Sequence, residues 1–541
     1  MPAVRNVLVK NTYKDSIQLM RISENARKQT GVIDAAVVMG TPTNKELLDN
    51  VGLLTEEGRG SSSEDILIAL KIESESEAVE KVNAIKSELE RPSPREKQES
   101  YFSNIESALR TMPDANFAIV SVPGPYVRAV TSELLERGID TQIFSDHVDV
   151  EDEIYLKRLA SSKGLLVLGP GAGTSLVAGK AIAFSNVVNR GRIGIVAAAG
   201  TGMQELSVLI SRAGFGISEG LGVGGRDVKS GVGGLMTLAS IRALEEDEDT
   251  EAVCFVSKPP SGDVLSKIIG YIREETKKQY VLAFFGPETD SIIRATPPHP
   301  RICFAHSLHA AAIRSIEQLG STQRNITSNN LPLAGMGKSE LEALAFSIYS
   351  KLTPDQRWVR GLFAGGTLMS EAMQILTRLL GTVVYSNAPF DKEGKLEDSY
   401  VSKGNTLIDF GEEEFTSGRP HPMIDPTIRK IRLAHELRDP EVACILLDVI
   451  LGYASHGDPA GAIVEVLQKQ PGKPVPILAH VCGTNGDPQN ASKQEKKLRD
   501  SGVVVLPSNA STAFLAGLIA SRGRIDAQIK ASAYADFLCL Q

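Results

Sequence analysis

The stretch that decides the fold is Arg192-Ile-Gly-Ile-Val-Ala-Ala-Ala-Gly-Thr-Gly-Met-Gln-Glu205, which predicts a buried strand, a glycine-containing turn and an apolar-periodic helix. The turn places backbone N–H groups at a helix N-terminus, where the helix dipole favours an anion. Thr201 adds a hydroxyl donor between Gly200 and Gly202, and glycine lets the backbone approach a ligand closely. The sequence therefore predicts a binding site for phosphate or carboxylate at this turn.

The composition is that of an ordinary globular protein with several domains. The chain has 541 residues and a formal net charge of −8 without a basic cluster, so we expect no nucleic-acid partner. The five cysteines are scattered and include no Cys-x-x-Cys pair, which predicts neither a disulfide framework nor a metal site. No leader peptide opens the chain, and no apolar run approaches the roughly 20 residues that span a bilayer. We therefore expect a cytoplasmic protein without a membrane partner.

Short strands alternate with amphipathic helices along most of the chain, a pattern typical of α/β domains with parallel sheets. An N-terminal α/β unit is followed by a polar, proline-broken linker at 90–99 and by three further α/β units. A connecting segment at 321–356 precedes the last unit. The predicted boundaries of the four units are 1–95, 100–190, 191–320 and 357–541.

Glycine-rich turns follow several predicted strands, and ligands in open α/β sheets bind at the carboxyl ends of strands. One such turn is weak evidence, because helix–strand packing often requires glycine by itself, but five in one chain favour anion binding. The spacing Gly220-x-Gly-x-x-Gly225 fits a dinucleotide fingerprint, yet no helix is predicted to begin at its third glycine. The predicted phosphate- or substrate-binding residues are Gly200, Thr201, Gly202, Gly224, Gly225, Gly365, Gly366, Thr367, Gly483 and Thr484.

The densest group of polar residues lies in a proline-braced loop that carries Arg419 and His421. A guanidinium fork and an imidazole two residues apart are suited to a carboxylate or an acyl phosphate. A structural loop in which Asp425 caps the next helix is the alternative, and it is the better interpretation for Asp425 itself. Asp448 interrupts the apolar strand at 445–450, so it is either a site residue or the partner of a nearby donor.

Other candidate residues have weaker patterns. His299, His306 and His309 cluster without a carboxylate or a metal-ligand spacing, so we interpret them as surface or packing residues. Lys258 follows a predicted strand and either reaches a ligand or faces solvent.

The chain resembles the α-subunit of succinyl-CoA synthetase in Gly191-Arg-Ile-Gly-Ile-Val196, Gly200-Thr-Gly-Met-Gln-Glu205 and Gly222-Val-Gly-Gly-Arg-Asp227. It is more similar still to the FdrA family, through Gly40-Thr-Pro-Thr-Asn-Lys-Glu-Leu-Leu48 and, most specifically, Gly418-Arg-Pro-His-Pro-Met-Ile-Asp-Pro426. This resemblance covers nearly the whole chain. It implies a small N-terminal α/β domain, a Rossmann-like CoA-binding-type domain and two flavodoxin-like domains of the succinyl-CoA synthetase type.

In the ligases, a phosphohistidine in a Gly-His-Ala-Gly-Ala motif is supported by a glutamate in the helix after the phosphate turn. Glu205 matches this glutamate by position, but the histidine motif is absent from the corresponding region 297–309. The FdrA resemblance implies a subunit of oxamate carbamoyltransferase, the step of allantoin (purine) catabolism in which oxalurate and phosphate give oxamate and carbamoyl phosphate. The turn at Gly200 is then expected to hold phosphate, while Arg419 and His421 bind the carboxylate or polarise the carbonyl.

Two alternatives stay open. One is a nucleotide-dependent acyl-CoA ligase with a displaced catalytic histidine, His306 or His309, which uses CoA and a nucleotide. The other is a non-catalytic scaffold or regulatory subunit. The expected partners are a small carboxylate or acyl phosphate and further subunits of a hetero-complex; phosphate is expected as a substrate, and no cofactor is assigned.

Overall fold

The computed structural model describes residues 3–12, 14, 16–27, 29–75, 78–90, 102, 104–258, 260–286, 288–319, 336–416, 419–469 and 475–540. The chain divides into two compact units. The first contains residues 1–103 and 411–425, and the second contains 104–410 and 426–541. Residues 91–99 of the predicted linker and 321–335 of the predicted connecting segment lie outside the described residues.

The first unit is built on a three-stranded antiparallel sheet in the order β1-β3-β2. Alternating side chains of the central strand, such as Ile66 and Ile68, enter the larger core, while Leu67 and Ala69 pack on the other face. Side chains alternate between the two faces of a strand, and nearly every residue of β3 is apolar. Both faces of this central strand are therefore buried. Its elements are β1 (Ala3–Val9), α1 (Ser16–Arg27), β2 (Val32–Met39), α2 (Pro42–Asn50), α3 (Glu56–Arg59), β3 (Ile66–Ile72) and α4 (Ala78–Glu90).

The second unit begins with a small parallel sheet whose three strands follow one another in the order β4-β5-β6. Its core is formed by apolar side chains of the two crossover helices, including Leu135 and Leu156, against the strands. The elements are α5 (Ile105–Thr111), β4 (Phe117–Val120), α6 (Gly124–Glu136), β5 (Asp140–Ile143), α7 (Val150–Lys163) and β6 (Val167–Leu168).

A seven-stranded sheet follows, in the order β13-β12-β11-β9-β10-β7-β8. Strands β9 to β13 are parallel and have the flavodoxin-like order, with β9 between β10 and β11. Its elements are β7 (Thr174–Val177), β8 (Lys180–Ala183), β9 (Arg190–Ala197), α8 (Gly200–Arg212), β10 (Ile217–Gly222), α9 (Leu235–Glu246), β11 (Ala252–Ser257), α10 (Gly262–Glu275), β12 (Gln279–Phe284), α11 (Thr289–Ala295), β13 (Ile302–Ala305) and α12 (Leu308–Glu317).

The hairpin β7–β8 differs from the sequence expectation, which placed it with the preceding unit at 100–190. It extends the seven-stranded sheet instead, because β7 pairs antiparallel with β10 at Leu176 and Gly220. The pairing gives partners to the backbone groups that the outer edge of β10 leaves open. The predicted division into four domains stays a prediction, since the chain separates only into the two units given above.

The last sheet has six parallel strands in the order β15-β16-β14-β17-β18-β19. Every residue of its long strand β17 is buried, as expected for a strand covered on both faces. The elements are α13 (Lys338–Tyr349), β14 (Trp358–Phe363), α14 (Gly366–Leu380), β15 (Val384–Ser386), β16 (Asn405–Asp409), α15 (Glu413–Thr416, in the part grouped with the first unit), α16 (Thr427–Glu436), β17 (Val442–Ile450), α17 (Pro459–Gln468), β18 (Ile477–Cys482), α18 (Ala491–Asp500), β19 (Val504–Leu506), α19 (Asn509–Ala520) and α20 (Ala527–Leu538).

The architecture confirms the predicted fold class, a multidomain α/β protein with a small N-terminal α/β domain. Within the described ranges, no helix is both long enough and apolar enough to cross a membrane.

A buried lysine joins the small parallel sheet to the seven-stranded one. Lys157 on α7 is fully buried, and its ammonium bonds Glu153 at 2.8 Å, Asp227 at 3.0 Å and the carbonyl of Val223 at 2.9 Å. Asp227 also accepts from the backbone N–H groups of the first turn of α9. The loop after β10 is therefore held by a charge network with all members bonded, the arrangement that a buried ion pair requires.

We expect Lys157→Met to lower the free energy of unfolding by about 3–5 kcal/mol, because Asp227 is then buried without a charged partner. Urea denaturation measures this loss. Lys163→Met is the matched control: Lys163 lies on the same helix and pairs with Glu136 at the surface, so its removal is expected to cost at most about 0.5 kcal/mol. Equal losses in the two variants would contradict the assignment.

Candidate functional site

The turn at Gly200 lies at the topological switch point of the seven-stranded sheet. Strand β9 lies between β10 and β11, and the chain leaves it toward one neighbour and returns to the other on the opposite side. The carboxyl end of β9 leads directly to the start of α8. In doubly wound sheets such a point forms the ligand crevice. Gly200 is exposed and Thr201 is half-buried, so the start of α8 is accessible from solvent.

The first backbone N–H groups of α8 have no partner among the described residues. Neither a carbonyl nor a side chain accepts from the amides of Gly200, Thr201 or Gly202, and the N-cap residue Ala199 provides no side-chain acceptor. These are the donors that a helix leaves for an external acceptor. The predicted anion site is therefore chemically open.

A second glycine turn lies beside the first. The amide of Thr367 in α14 donates to the Thr201 hydroxyl at 3.3 Å, and a Cβ on Gly365 would lie 3.0 Å from the Thr201 methyl. A Cβ on Gly202 would in turn lie 2.9 Å from the methyl of Thr367, so glycine is required there for the two helices to approach. The structure thus brings the predicted turns at Gly200 and Gly365 together.

The turn before α14 is already filled by carboxylates of the chain. Asp448 accepts from the amides of Ala364 at 2.9 Å and Gly365 at 2.8 Å and pairs with Arg429 at 2.7 Å. The carboxylate of Asp409 lies against Gly366, where a Cβ would be only 2.2 Å from its oxygen. Of the two predicted roles of Asp448, the structure shows the partner of nearby donors. Asp448 therefore engages the two amides just before α14, and Thr367 donates to Thr201 in its first turn.

The other predicted glycines lie at different distances from this turn. A Cβ on Gly225 would be 3.6 Å from the carbonyl of Ala198, directly before α8, and the neighbouring Gly224 has a φ of +84° and packs on Gly169–Pro170. Gly483 and Thr484 lie at the opposite end of α8. There Arg212 donates to the Gly483 carbonyl at 2.7 Å.

A cavity of about 500 Å³ lies beside Gly483 and Thr484. Its walls include Val187, Arg212, Thr484, Asn485, Ser492 and Glu495. The predicted binding role of Gly483 and Thr484 therefore concerns a place other than the α8 turn, and it stays a prediction.

Glu205, predicted as catalytic, points into the interior instead of the open turn. It is fully buried, accepts from His480 Nε2 at 2.6 Å and accepts from the amide of Asn509 at 3.3 Å. Burial raises the pKa of Glu205, but His480, the amide of Asn509 and the charge of Arg212 together hold the pKa below its ordinary value. Its direct catalytic role stays a prediction; the geometry is that of a residue that holds α8 in place.

Glu205 has a counterpart beside the six-stranded sheet, which the sequence patterns did not predict. Glu371 on α14 accepts from the amide of Leu308 at 2.5 Å and from Asn509 Nδ2 at 2.7 Å. Each glutamate therefore bonds the first turn of a helix from the opposite sheet, because Leu308 begins α12 and Asn509 begins α19. The signal was present as a repeat, Gly-Thr-x-Met-x-Glu, at 200–205 and 366–371.

The predicted histidines fall into different environments. His309 is buried at the same interface, with its Nδ1 3.1 Å from the Ser508 hydroxyl, and burial lowers its pKa to about 4. His306 packs edge-on against Phe537. His299 precedes β13, at the amino ends of the strands and thus away from the Gly200 turn. His309 is a packing residue with polar contacts rather than a surface one.

Arg419 and His421 belong to the first compact unit, so their relation to the Gly200 turn stays a prediction. Burial lowers the pKa of His421 to about 4, and its Nδ1 accepts from the amide of Met423 at 3.3 Å. His421 is therefore neutral at pH 7, with the proton on Nε2. The N-cap residue of α16 is Pro426, the neighbour of Asp425, and the expectation that the Asp425 side chain caps this helix stays a prediction.

Lys258 ends up exposed at the carboxyl end of β11, the strand next to β9. Within the part of the chain that the structure describes, no three side chains of His, Cys, Asp or Glu are grouped as a metal ion requires.

Glu371 generates a prediction about stability and pH. Burial raises the pKa of Glu371 to about 8 from 4.5, so the folded chain keeps a proton that the unfolded chain releases, and stability falls as the pH rises through this window. One proton corresponds to at most about 1.4 kcal/mol per pH unit. We expect Glu371→Gln to flatten the dependence of unfolding free energy on pH between 5 and 8.

The exposed Glu248 provides the control, because Glu248→Gln should leave that dependence unchanged. Glu205 acts in the opposite direction and only at lower pH: its lowered pKa contributes stability that is lost as the pH falls below about 4.5. A Glu371→Gln variant that retained the full slope would disprove the assignment.

Two protein-family models match parts of the chain. A family model described as CoA-ligase matches residues 362–519, and a model described as "AllF, heavy metal-associated domain" matches residues 1–104. Residues 1–104 contain neither cysteine nor histidine, the ligands that soft heavy metals prefer, so they do not fit a heavy-metal site.

The curated relatives extend this match over the whole chain. YahF of Escherichia coli K12, an uncharacterized protein, is 38% identical over 522 residues, which cover 95% of this chain and 98% of YahF. The α-subunit of the ADP-forming succinate–CoA ligase of Methanothermobacter thermautotrophicus is 29% identical over 39% of this chain and 67% of its own length. The α-subunit 2 of the Archaeoglobus fulgidus ligase is 25% identical over 44% of this chain and 78% of its own length. The chain therefore belongs to the family of YahF, a succinyl-CoA-synthetase-α-like family of CoA-ligase type.

Proposed function

We propose that the chain is the phosphate-binding subunit of an acyl-transfer enzyme, and that the acyl group is carbamoyl. In this reaction a phosphate oxygen attacks the carbamoyl carbon of oxalurate, the bond from that carbon to the oxamate nitrogen breaks, and the nitrogen takes up a proton. The products are carbamoyl phosphate and oxamate. The observation that carries the proposal is the first turn of α8, where the amides of Gly200, Thr201 and Gly202 have no partner among the described residues.

The chemistry needs an oriented phosphate, a group that binds the substrate carboxylate and donors for the oxyanion that forms on the carbonyl. The amides of the α8 turn and the Thr201 hydroxyl meet the first need. For the other two needs we propose Arg419, whose guanidinium is suited to a carboxylate, and His421, whose imidazole is suited to polarising a carbonyl. The allantoin context is supported by the AllF-type match of the N-terminal domain.

The second candidate is a nucleotide-dependent acyl-CoA ligase, which is favoured by the CoA-ligase match and by the names of the α-subunit relatives. In this candidate His306 or His309 carries the phosphoryl group. Against it stands the burial of His309. The third candidate is a non-catalytic scaffold.

Thr201→Val is expected to raise the KM for phosphate in the phosphorolysis of oxalurate by roughly 10- to 100-fold, the loss of one hydrogen bond to a charged group. Carbamoyl phosphate formation is measured on the chain purified with its co-purifying partners. Thr377→Val, an exposed position later in α14, is the control. If both variants kept the activity of the unchanged chain, the α8 turn would not be the phosphate site. If the unchanged complex formed no carbamoyl phosphate, this result would favour the non-catalytic scaffold over carbamoyl transfer.

The ligase candidate has its own test. The same complex is incubated with labelled ATP, CoA and succinate and is then assayed for acid-labile phosphate on protein. We expect no labelled histidine. Label that disappears in His306→Asn or His309→Asn would establish the ligase chemistry and reject carbamoyl transfer as the main activity.

A further inference from the structure

We propose that the chain handles acyl groups without CoA, because the unit that would bind CoA, residues 104–172, has closed its ligand-binding edge. The proposal concerns the substrate class and does not depend on carbamoyl being the group transferred. It rests on three features of the small parallel sheet, each independent of the α8 turn.

The first feature is strand order. The order β4-β5-β6 runs in one direction only, so no two neighbouring strands send their connections to opposite faces. A ligand crevice in an open parallel sheet forms where the order reverses. The seven-stranded sheet has such a reversal at β9, and the three-stranded sheet has none.

The second feature is the use of the backbone groups at the carboxyl ends of these strands. The Ser145 hydroxyl accepts from the amide of Val122 at 2.9 Å, and the amide of Phe144 donates to the Val120 carbonyl at 2.9 Å. On the other side the amide of Gly171 donates to the Ser145 carbonyl at 3.1 Å. The loops that follow the three strands therefore bond one another across the edge of the sheet where a ligand would enter.

The third feature is the state of the two helix N-termini. Gly124, the first residue of α6, is buried against the loop after β5, and a Cβ there would lie 2.1 Å from the His147 carbonyl oxygen. That oxygen places a partial negative charge at the first turn of α6, the end of the helix whose dipole favours an anion. The first turn of α7 contains Glu151, Asp152 and Glu153, so carboxylates of the chain itself already compensate the dipole of this helix.

The unit has a different use in this chain. Lys157 fixes Asp227 and the Val223 carbonyl, and Arg226 donates to the Val148 carbonyl at 2.9 Å. The amide of Val223 in turn bonds the carbonyl of Ala197, two residues before the N-cap of α8. Residues 104–172 thus position the loop that borders the open turn, a role that needs no bound ligand.

The test is isothermal titration of CoA and, separately, of inorganic phosphate into the full chain purified with its partners. The α-subunit of the Methanothermobacter succinate–CoA ligase, assayed in its own complex, serves as the positive control for CoA. We expect no saturable heat from CoA up to about 1 mM and no CoA-dependent rise in melting temperature, which a ligand at 100 times its Kd would produce. Saturable stoichiometric CoA binding below about 100 µM would overturn the proposal.

The rate of oxalurate phosphorolysis, measured with and without CoA, distinguishes failure of the CoA-free proposal from failure of the carbamoyl-transfer proposal. If oxalurate is phosphorolysed at the same rate with and without CoA, both stand. Phosphorolysis that requires CoA rejects the CoA-free proposal alone. If CoA does not bind and oxalurate is not phosphorolysed, the CoA-free proposal stands and the carbamoyl-transfer proposal fails.

Discussion

The meeting of α8 and α14 is the contact on which the second unit depends. Two parallel sheets, each with its switch-point helix, are joined because a glutamate on each helix bonds the first turn of a helix from the other sheet. Both carboxyl groups are fully buried, so each must be hydrogen-bonded within the protein to be tolerated. The same contact places the turn at Gly200 against the turn at Gly365, and the glycine at position 202 is needed for that approach.

Much of this arrangement was predictable from local sequence. The run from Arg192 to Glu205 contains a continuous apolar strand, a small-residue turn and a periodic helix, and these signals are sufficient because they lie within one α/β crossover. The pairing of the two turns was not predictable, because Thr201 and Thr367 are 166 residues apart and nothing in their neighbourhoods specifies a partner. The repeated Gly-Thr-x-Met-x-Glu pattern indicated equivalent helices without indicating that they touch.

In the candidate site, too, local features were predictable from the sequence and long-range contacts were not. That Asp448 needs a donor followed from a carboxylate in an apolar strand, but which donors it meets depends on the strand order of the folded sheet. The inward direction of Glu205 was not predictable, because position in a motif does not reveal the side on which a helix is covered. His480 gave no signal at all, since a single histidine in a buried strand has no characteristic spacing.

Asp448 also has a meaning beyond its pairing with Arg429. Its two oxygens accept from the consecutive amides of Ala364 and Gly365, which occupy the positions of Ala198 and Ala199 in the other sheet, just before the α8 turn. At the switch point of the six-stranded sheet, a side chain of the chain itself thus does what a bound oxyanion does in other parallel sheets, and it fixes the glycine turn before α14 without a ligand.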